Sequence, residues 1–495
     1  MPQADGVPDE GGFFRGLAQA PLHFHNAIAE LVDNAIAARG RGFEIKIDIT
    51  DADDDTSTIT VADNGPGIPL NKLESHVFKT GVPPPANAPH LNEHGFGLKN
   101  VLAKVEALQG NWELLTRDAI ASRKRRVYEV TGPMRFKIPI QIRGPDVWPD
   151  YAAASTGTTV TFSVPSAFMQ TVGWGKRGRP PKDPDSILDY LREHLGVYYR
   201  GFLGVPSIGY KSTSRPRGTL VTSLNWKHAK KVEPIEPDYD SRRRIKSVRV
   251  VTPAGKVSLE GEYGLLNTES QTTRDDRKYY YRNTLESQGV DLRVGDRILA
   301  TRLLTEIWEQ ARHNSHNAFW GEFRIPGTRG KVPRTLNNKT SIDFDDSVWI
   351  AVSKAIKSQI PKPLKTNSNE KDENDLRDEL YEQLEGTKLP GEVVEKNYPV
   401  WPGSGVVIDI YRKVGAQVIV YEAKFGKAQP LNVYQVRMYW DALTESGSQP
   451  TQAYLVAHEK TTGVSTVINA VNGYKDKNGK RYKIEFKRWE DYNVN

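Results

Sequence analysis

Two glycine pairs and two polar residues on one helix narrow the fold of this 495-residue chain more than any bulk property does. Asp63-Asn64-Gly65-Pro66-Gly67 stands directly behind the strand-like run TSTITVA. An acidic side chain beside two glycines can accept a hydrogen bond from a base's exocyclic amine while the backbone approaches closely. Upstream, NAIAELVDNAIAAR (26–39) sets Ile28, Leu31, Val32, Ala35 and Ile36 at helical spacing. Glu30 and Asn34 lie four apart, so they share a face, where a carboxylate and a carboxamide can serve a water and a hydrated Mg²⁺ together. Downstream, Gly95-Phe96-Gly97-Leu98-Lys99 opens a helix expected over about 98–109, an anion site made of free N–H groups and a cation. Thr156-Gly157-Thr158 then starts another strand. Singly each block is weak, because Gly-x-Gly is usually a turn and Glu-x-x-x-Asn usually a solvated face. Their order and spacing together are specific.

These four blocks resemble those of the GHKL ATPases, the superfamily of gyrase, MutL, heat-shock chaperones and histidine kinases. AIAELVDNA is closest to the MORC and MutL branch. The resemblance implies an ATP pocket on an α/β sandwich (the Bergerat fold) with the Gly-rich segment as a lid. By it, Glu30 is the general base, Asn34 the Mg²⁺ ligand and Asp63 the adenine reader. Gly65, Gly67, Gly95 and Gly97 shape the lid, Lys99 faces phosphate, and Thr158 supports Asp63 through water. The segment Leu336-Asn-Asn-Lys339-Thr-Ser-Ile-Asp343-Phe344 looks like the MORC stretch that carries the γ-phosphate lysine of the next domain, which makes Lys339 the candidate. GVDLRVGDRIL (289–299) resembles that family's mid-transducer strands. Residues 206–300 otherwise follow no pattern, and Thr301–Arg312 reads as helical.

A Pro-, Lys-, Asn- and Asp-rich stretch, 358–375, reads as a flexible linker. Beyond it the pattern is a helix (376–384), three strand-like runs, a helix (431–443) and further strand. VVIDIY places Asp409 in an apolar strand, and VIVYEAKF ends the next with Glu422 and Lys424, which share a face. Charge inside a buried strand costs several kcal/mol unless it is used. Two carboxylates can hold a divalent cation while a lysine orients water or steadies phosphorane charge. Helix, three strands, helix, with Gln435-Val-Arg-Met-Tyr439 on the second helix, resembles the PD-(D/E)xK nucleases of RecB type. That resemblance implies a Mg²⁺ or Mn²⁺ site at Asp409 and Glu422, with Gln435 and Tyr439 beside it. Glu379 or Glu382 on the preceding helix would complete it, Glu379 being slightly favoured. An AT-hook-like run, Lys176-Arg177-Gly-Arg179-Pro-Pro-Lys182, would lie along the minor groove of A·T-rich DNA through Arg177 and Arg179.

The expected architecture is therefore an α/β multidomain chain. It comprises a GHKL domain (1–205), an α+β transducer (206–357), the linker (358–375) and an αβββαβ nuclease-like domain (376–495). Composition permits this. The net charge of +7 suits a polyanionic partner without demanding one. The absence of cysteine excludes disulfides, Cys-ligated zinc and a cysteine nucleophile. Without an apolar run of about 18 residues or a signal-like start, the chain reads as cytoplasmic, with no membrane span. The functional expectation is an ATP-gated DNA endonuclease that closes as a nucleotide-dependent homodimer, in a prokaryotic restriction or antiphage system with possible partner subunits. The alternative is an ATP-dependent DNA clamp whose C-terminal domain binds without cutting.

Overall fold

The computed structural model describes residues 9–39, 41–51, 55–79, 95–150, 154–173, 180–204, 217–267, 277–328, 330–335, 342–365, 373–401, 403–492 and 494. Arg177, Arg179 and Lys339 lie outside this set. The chain divides into two compact units, 1–366 and 367–495.

The first unit holds two sheets. The larger contains β1 (Phe43–Asp51), β2 (Thr56–Asp63), β3 (Trp112–Arg117), β4 (Val127–Thr131), β5 (Gln141–Arg143), β6 (Gly157–Pro165), β7 (Gly218–Leu224) and β8 (Lys227–Lys231). Their order is β5-β4-β3-β6-β2-β1-β7-β8, antiparallel except for the parallel β1–β7 pair. Sheet pairing thus runs to Lys231, past the boundary expected at 205. Helix α1 (Glu10–Ala18) packs on α3 (Gly97–Ala107), while α2 (Phe24–Arg39), α3 and α4 (Pro184–Tyr198) pack on the sheet. Helix α2 buries its apolar residues at three- and four-residue steps, Phe24, Ala27, Ile28, Leu31, Val32, Ala35 and Ile36. Its first N–H, at Phe24, is satisfied by Thr171 Oγ1 at 2.8 Å.

The second sheet contains β9 (Tyr239–Thr252), β10 (Gly255–Leu266), β11 (Gly289–Val294), β12 (Arg297–Leu303) and β13 (Phe319–Ile325), in the order β12-β11-β13-β10-β9. Helix α5 (Ser347–Gln359), capped by Asp346, packs against β9. The helix expected over Thr301–Arg312 is corrected here. Thr301–Leu303 pairs with β11 as strand, and only Thr305–Trp308 is helical. Pairing explains this, because the Arg302 N–H donates to the buried Asp291 carboxylate at 3.1 Å. The linker expectation also shifts. Ile360 is buried and its carbonyl accepts from Trp308 Nε1 at 2.8 Å, and the Leu364 carbonyl meets His316 Nδ1 at 2.9 Å. Residues 366–372 lie outside the described set.

In the second unit, α6 (Glu373–Gly386), β14 (Val393–Pro399), β15 (Val407–Val414), β16 (Gln417–Ala423), α7 (Pro430–Glu445) and β18 (Gln452–Ala457) follow the expected αβββαβ order. The small strands β17 (Lys427–Ala428) and β19 (Glu459–Lys460) pair with each other, and α8 (Thr462–Gly473) and β20 (Ile484–Arg488) end the unit. The main sheet runs β14-β15-β16-β18-β20, antiparallel through β16 and parallel beyond it.

A buried ionic cluster ties the short helix after α4 (Arg200–Leu203) to the second sheet. Arg200, fully buried, ion-pairs with Glu322 and with Asp291 (3.8 Å), and donates to Tyr281 Oη at 2.7 Å. Removing one partner of such a set strands the other charges in the interior. Arg200→Met is expected to lower the unfolding free energy of this unit by about 3–5 kcal/mol. Chemical denaturation checks this, and an unchanged midpoint would contradict it.

Candidate nucleotide pocket and carboxylate–lysine cluster

The register of three neighbouring strands builds the first site. Asp63 closes β2 and lies opposite Thr158 on β6, which lies opposite Thr116 on β3. Asp63 Oδ1 accepts from the Gly65 N–H at 2.6 Å and from the Thr158 N–H at 3.3 Å. Thr158 thus supports Asp63 directly through its backbone N–H. Its hydroxyl instead meets Thr116 Oγ1 at 3.1 Å. Thr116 also receives the Ile68 N–H at 2.8 Å and lies 3.0 Å from the Gly157 carbonyl, tying the loop after Asp63 to the sheet. Sequence reasoning missed Thr116, because only strand register reveals it. Burial pushes the Asp63 carboxyl up to about 6, against the pull of those two N–H groups. Gly67 has φ +72°, and a Cβ there would overlap the Arg117 carbonyl, so a side chain would disrupt this turn.

Helix α2, which packs on β1 and β2, carries the second group of residues. Glu30 is 1% exposed, Asn34 half-buried. The Glu30 carboxylate packs against the Cα of Gly97, the first residue of α3, where a Cβ would overlap Oε2. Helix spacing alone could not have foreseen that contact. Gly95 (φ +63°) precedes it, and its carbonyl accepts from Lys99 Nζ at 2.5 Å. Burial pulls the Lys99 ammonium down to about 8. The structure therefore brings Glu30, Gly97, Gly95 and Lys99 together at the start of α3, and Asp63, Gly65, Gly67 and Thr158 at the sheet end.

In the second unit, Asp409, Glu422 and Lys424 meet at the end of β16. Lys424 Nζ lies 2.6 Å from Glu422 Oε1, and Asp409 Oδ2 accepts from the Ala423 N–H at 2.8 Å. Glu422 is 1% exposed, and burial first, then the Asp409 charge, push it up to about 8 against the pull of Lys424. Tyr439, raised by burial and by the Glu422 charge, accepts from Gln435 Nε2 at 2.9 Å. Besides Glu379, the expected helix carboxylate, a second acid of the same helix comes to this cluster. Glu373, in the first turn of α6, contacts Lys424 (3.4 Å) and accepts from the Phe425 N–H at 2.8 Å. It sits where α6 begins beside the end of β16, six residues before Glu379. Arg377, on the same helix, donates to Asp409 Oδ1 at 3.4 Å. Among the described residues no group of three or more His, Cys, Asp and Glu converges as a metal site. Two carboxylates, one of them buried, still fit a hard divalent cation, which takes one or two protein carboxylates beside water and phosphate oxygens.

Residues 19–167 match the family described as histidine kinase-, DNA gyrase B- and HSP90-like ATPases, so the chain carries a GHKL-type ATPase domain there. Among solved structures, it is similar to the crystal structure of the N-terminal domain of a DNA repair protein. The identity is 13% and the TM-score 0.41, over 70% of this chain and 96% of that one. No curated protein matches the sequence. Among the described residues no helix is long and apolar enough to cross a membrane.

Gly97→Ala is the sharpest test of the Glu30 contact. The added methyl must displace the carboxylate or the start of α3, and overpacking of about 1–3 kcal/mol corresponds to roughly 5- to 150-fold in affinity if it falls on the bound state. Titration with a fluorescent ATP analogue should show that loss, and wild-type affinity would contradict the geometry.

Proposed function

We propose that this chain is an ATP-gated, metal-dependent DNA endonuclease. The observation that carries the reading is the cluster of Asp409, Glu422 and Lys424 at one strand end, in a chain whose residues 19–167 carry a GHKL-type ATPase domain. In the N-terminal site Glu30 takes the proton of the attacking water, Asn34 would hold Mg²⁺, and Asp63 accepts from the adenine amine. Lys99 and the N–H groups at the start of α3 receive phosphate, and Lys339 is the candidate sensor of the γ-phosphate. ATP then closes a homodimer. In the second unit Lys424 orients a water and steadies the charge that develops on the phosphate, Tyr439 and Gln435 border the site, and Glu373 holds Lys424. Mg²⁺ at Asn34, and Mg²⁺ or Mn²⁺ at Asp409 and Glu422, would supply neutralisation of phosphate charge and activation of water. A prokaryotic restriction or antiphage role, with partner subunits, suits a nuclease that must stay silent until triggered. Arg177 and Arg179 remain the candidate minor-groove contact.

A second reading is a DNA clamp that closes on ATP without cutting. The Arg377–Asp409 contact favours it, since a guanidinium on that carboxylate competes with a cation. Separate variants divide the two readings. Glu30→Ala should bind ATP but lose about 10²–10⁴-fold in turnover. Asp409→Asn and Lys424→Ala should abolish plasmid cleavage while leaving ATP turnover near wild type. Cleavage that persists in both would remove the nuclease assignment, and no cleavage even by wild type would favour the clamp.

The Asp63 reading has a pH signature. The ionised carboxylate is the stronger acceptor for the adenine amine, and burial raises its protonation to about 6. Nucleotide affinity should therefore hold above that pH and fall by up to about tenfold per unit below it. Isothermal titration from pH 5 to 8 measures this, and a flat profile would exclude Asp63 as the acceptor.

A further inference from the structure

The turn of α2 that carries Glu30 is gripped from outside the helix. The Tyr199 hydroxyl, at the end of α4, lies 2.9 Å from the Ala29 carbonyl and 2.7 Å from Asp33 Oδ1, so it spans both ends of that turn. Arg297, the first residue of β12 in the second sheet, donates from Nε to the same Asp33 oxygen at 3.1 Å. Its guanidinium lies 4.6 Å from the ring centroids of both Tyr198 and Tyr199 and also donates to the Ile298 carbonyl. Asp33, Tyr199 and Arg297 are all buried. Burial raises the phenol of Tyr199, opposed by Arg297 and helped by the Asp33 and Glu30 charges, so the hydroxyl stays a donor. A buried ion pair is weak evidence of stabilisation, since apolar residues of the same volume often do as well. What this pair supplies is a fixed geometry at one turn.

We propose that Arg297 and Tyr199 are positioning residues for Glu30, through which the second sheet sets the alignment of the ATP-hydrolysing site. The proposal rests on the reading of Glu30 as the base. Asp63, Gly65 and Gly67 bind the nucleotide from a different wall. Loss of the grip therefore acts first on the water's base, and lowers turnover more than nucleotide affinity even though Asn34 lies on the same helix.

The experiment is steady-state ATPase and nucleotide titration of the full chain in four forms: wild type, Tyr199→Phe, Arg297→Lys and Arg297→Met, with a thermal melt of each. Tyr199→Phe deletes one oxygen and keeps the ring, so it is the mildest probe. The expected result is a kcat lowered about tenfold or more by Tyr199→Phe, since small misplacements of a catalytic group cost up to about 10²-fold. Nucleotide Kd should stay within about threefold, well under the 1.4 kcal/mol that a tenfold change represents. Arg297→Lys keeps the charge but loses the fork and the stacking, so its kcat should fall between wild type and Arg297→Met. Wild-type kcat in folded Tyr199→Phe and Arg297→Met would overturn the proposal. So would equal losses in kcat and affinity that track a lowered melting temperature, because that pattern marks a purely structural prop. A wild-type protein that neither binds nor hydrolyses ATP would overturn the Glu30 reading along with it, whereas an active wild type with indifferent variants would overturn this proposal alone.

Discussion

A carboxylate that is 1% exposed has lost its water, and the N-terminal site is organised around that cost at Glu30. The carboxylate reaches α3 only because Gly97 carries no side chain. Its own turn is held at Ala29 and Asp33 by a tyrosine and an arginine from elements far along the chain. Asp63 is only half-buried, and two backbone N–H groups compensate it. The two acids of the pocket therefore differ in kind: Asp63 is set by strand register, Glu30 by packing between helices.

The C-terminal cluster solves a similar problem differently. Burial and the neighbouring Asp409 charge raise the cost of ionising Glu422, and Lys424 offsets part of it. Glu373 and Arg377, both from α6, hold Lys424 and Asp409 in turn. Charge placed at the end of a buried strand is stable only inside such a network.

Much of this was legible from residue types and spacing. The four N-terminal blocks predicted helix, strand end, helix start and strand start, and α2, β2, α3 and β6 carry them. The αβββαβ order and the shared face of Glu422 and Lys424 also followed from period-2 and period-3.6 patterns. What escaped were contacts between segments distant in sequence. Thr116 joins Asp63 only through the β2–β6–β3 register, and Arg297 reaches Asp33 across 264 positions. Thr301–Leu303 was misread because strand pairing and the Asp291 bond override local helical spacing. Glu373 was passed over because it stood inside a stretch whose composition resembled a linker.

The central claim is that one chain joins an ATP switch to a DNA-cutting site. Supercoiled plasmid incubated with wild-type protein and Mg²⁺ or Mn²⁺ tests it directly, with no nucleotide, with ATP and with a non-hydrolysable analogue. Cleavage that needs nucleotide, together with a shift from monomer to dimer in light scattering on adding the analogue, is the predicted result. Cleavage equally fast without nucleotide, at an oligomeric state indifferent to it, would contradict the coupling.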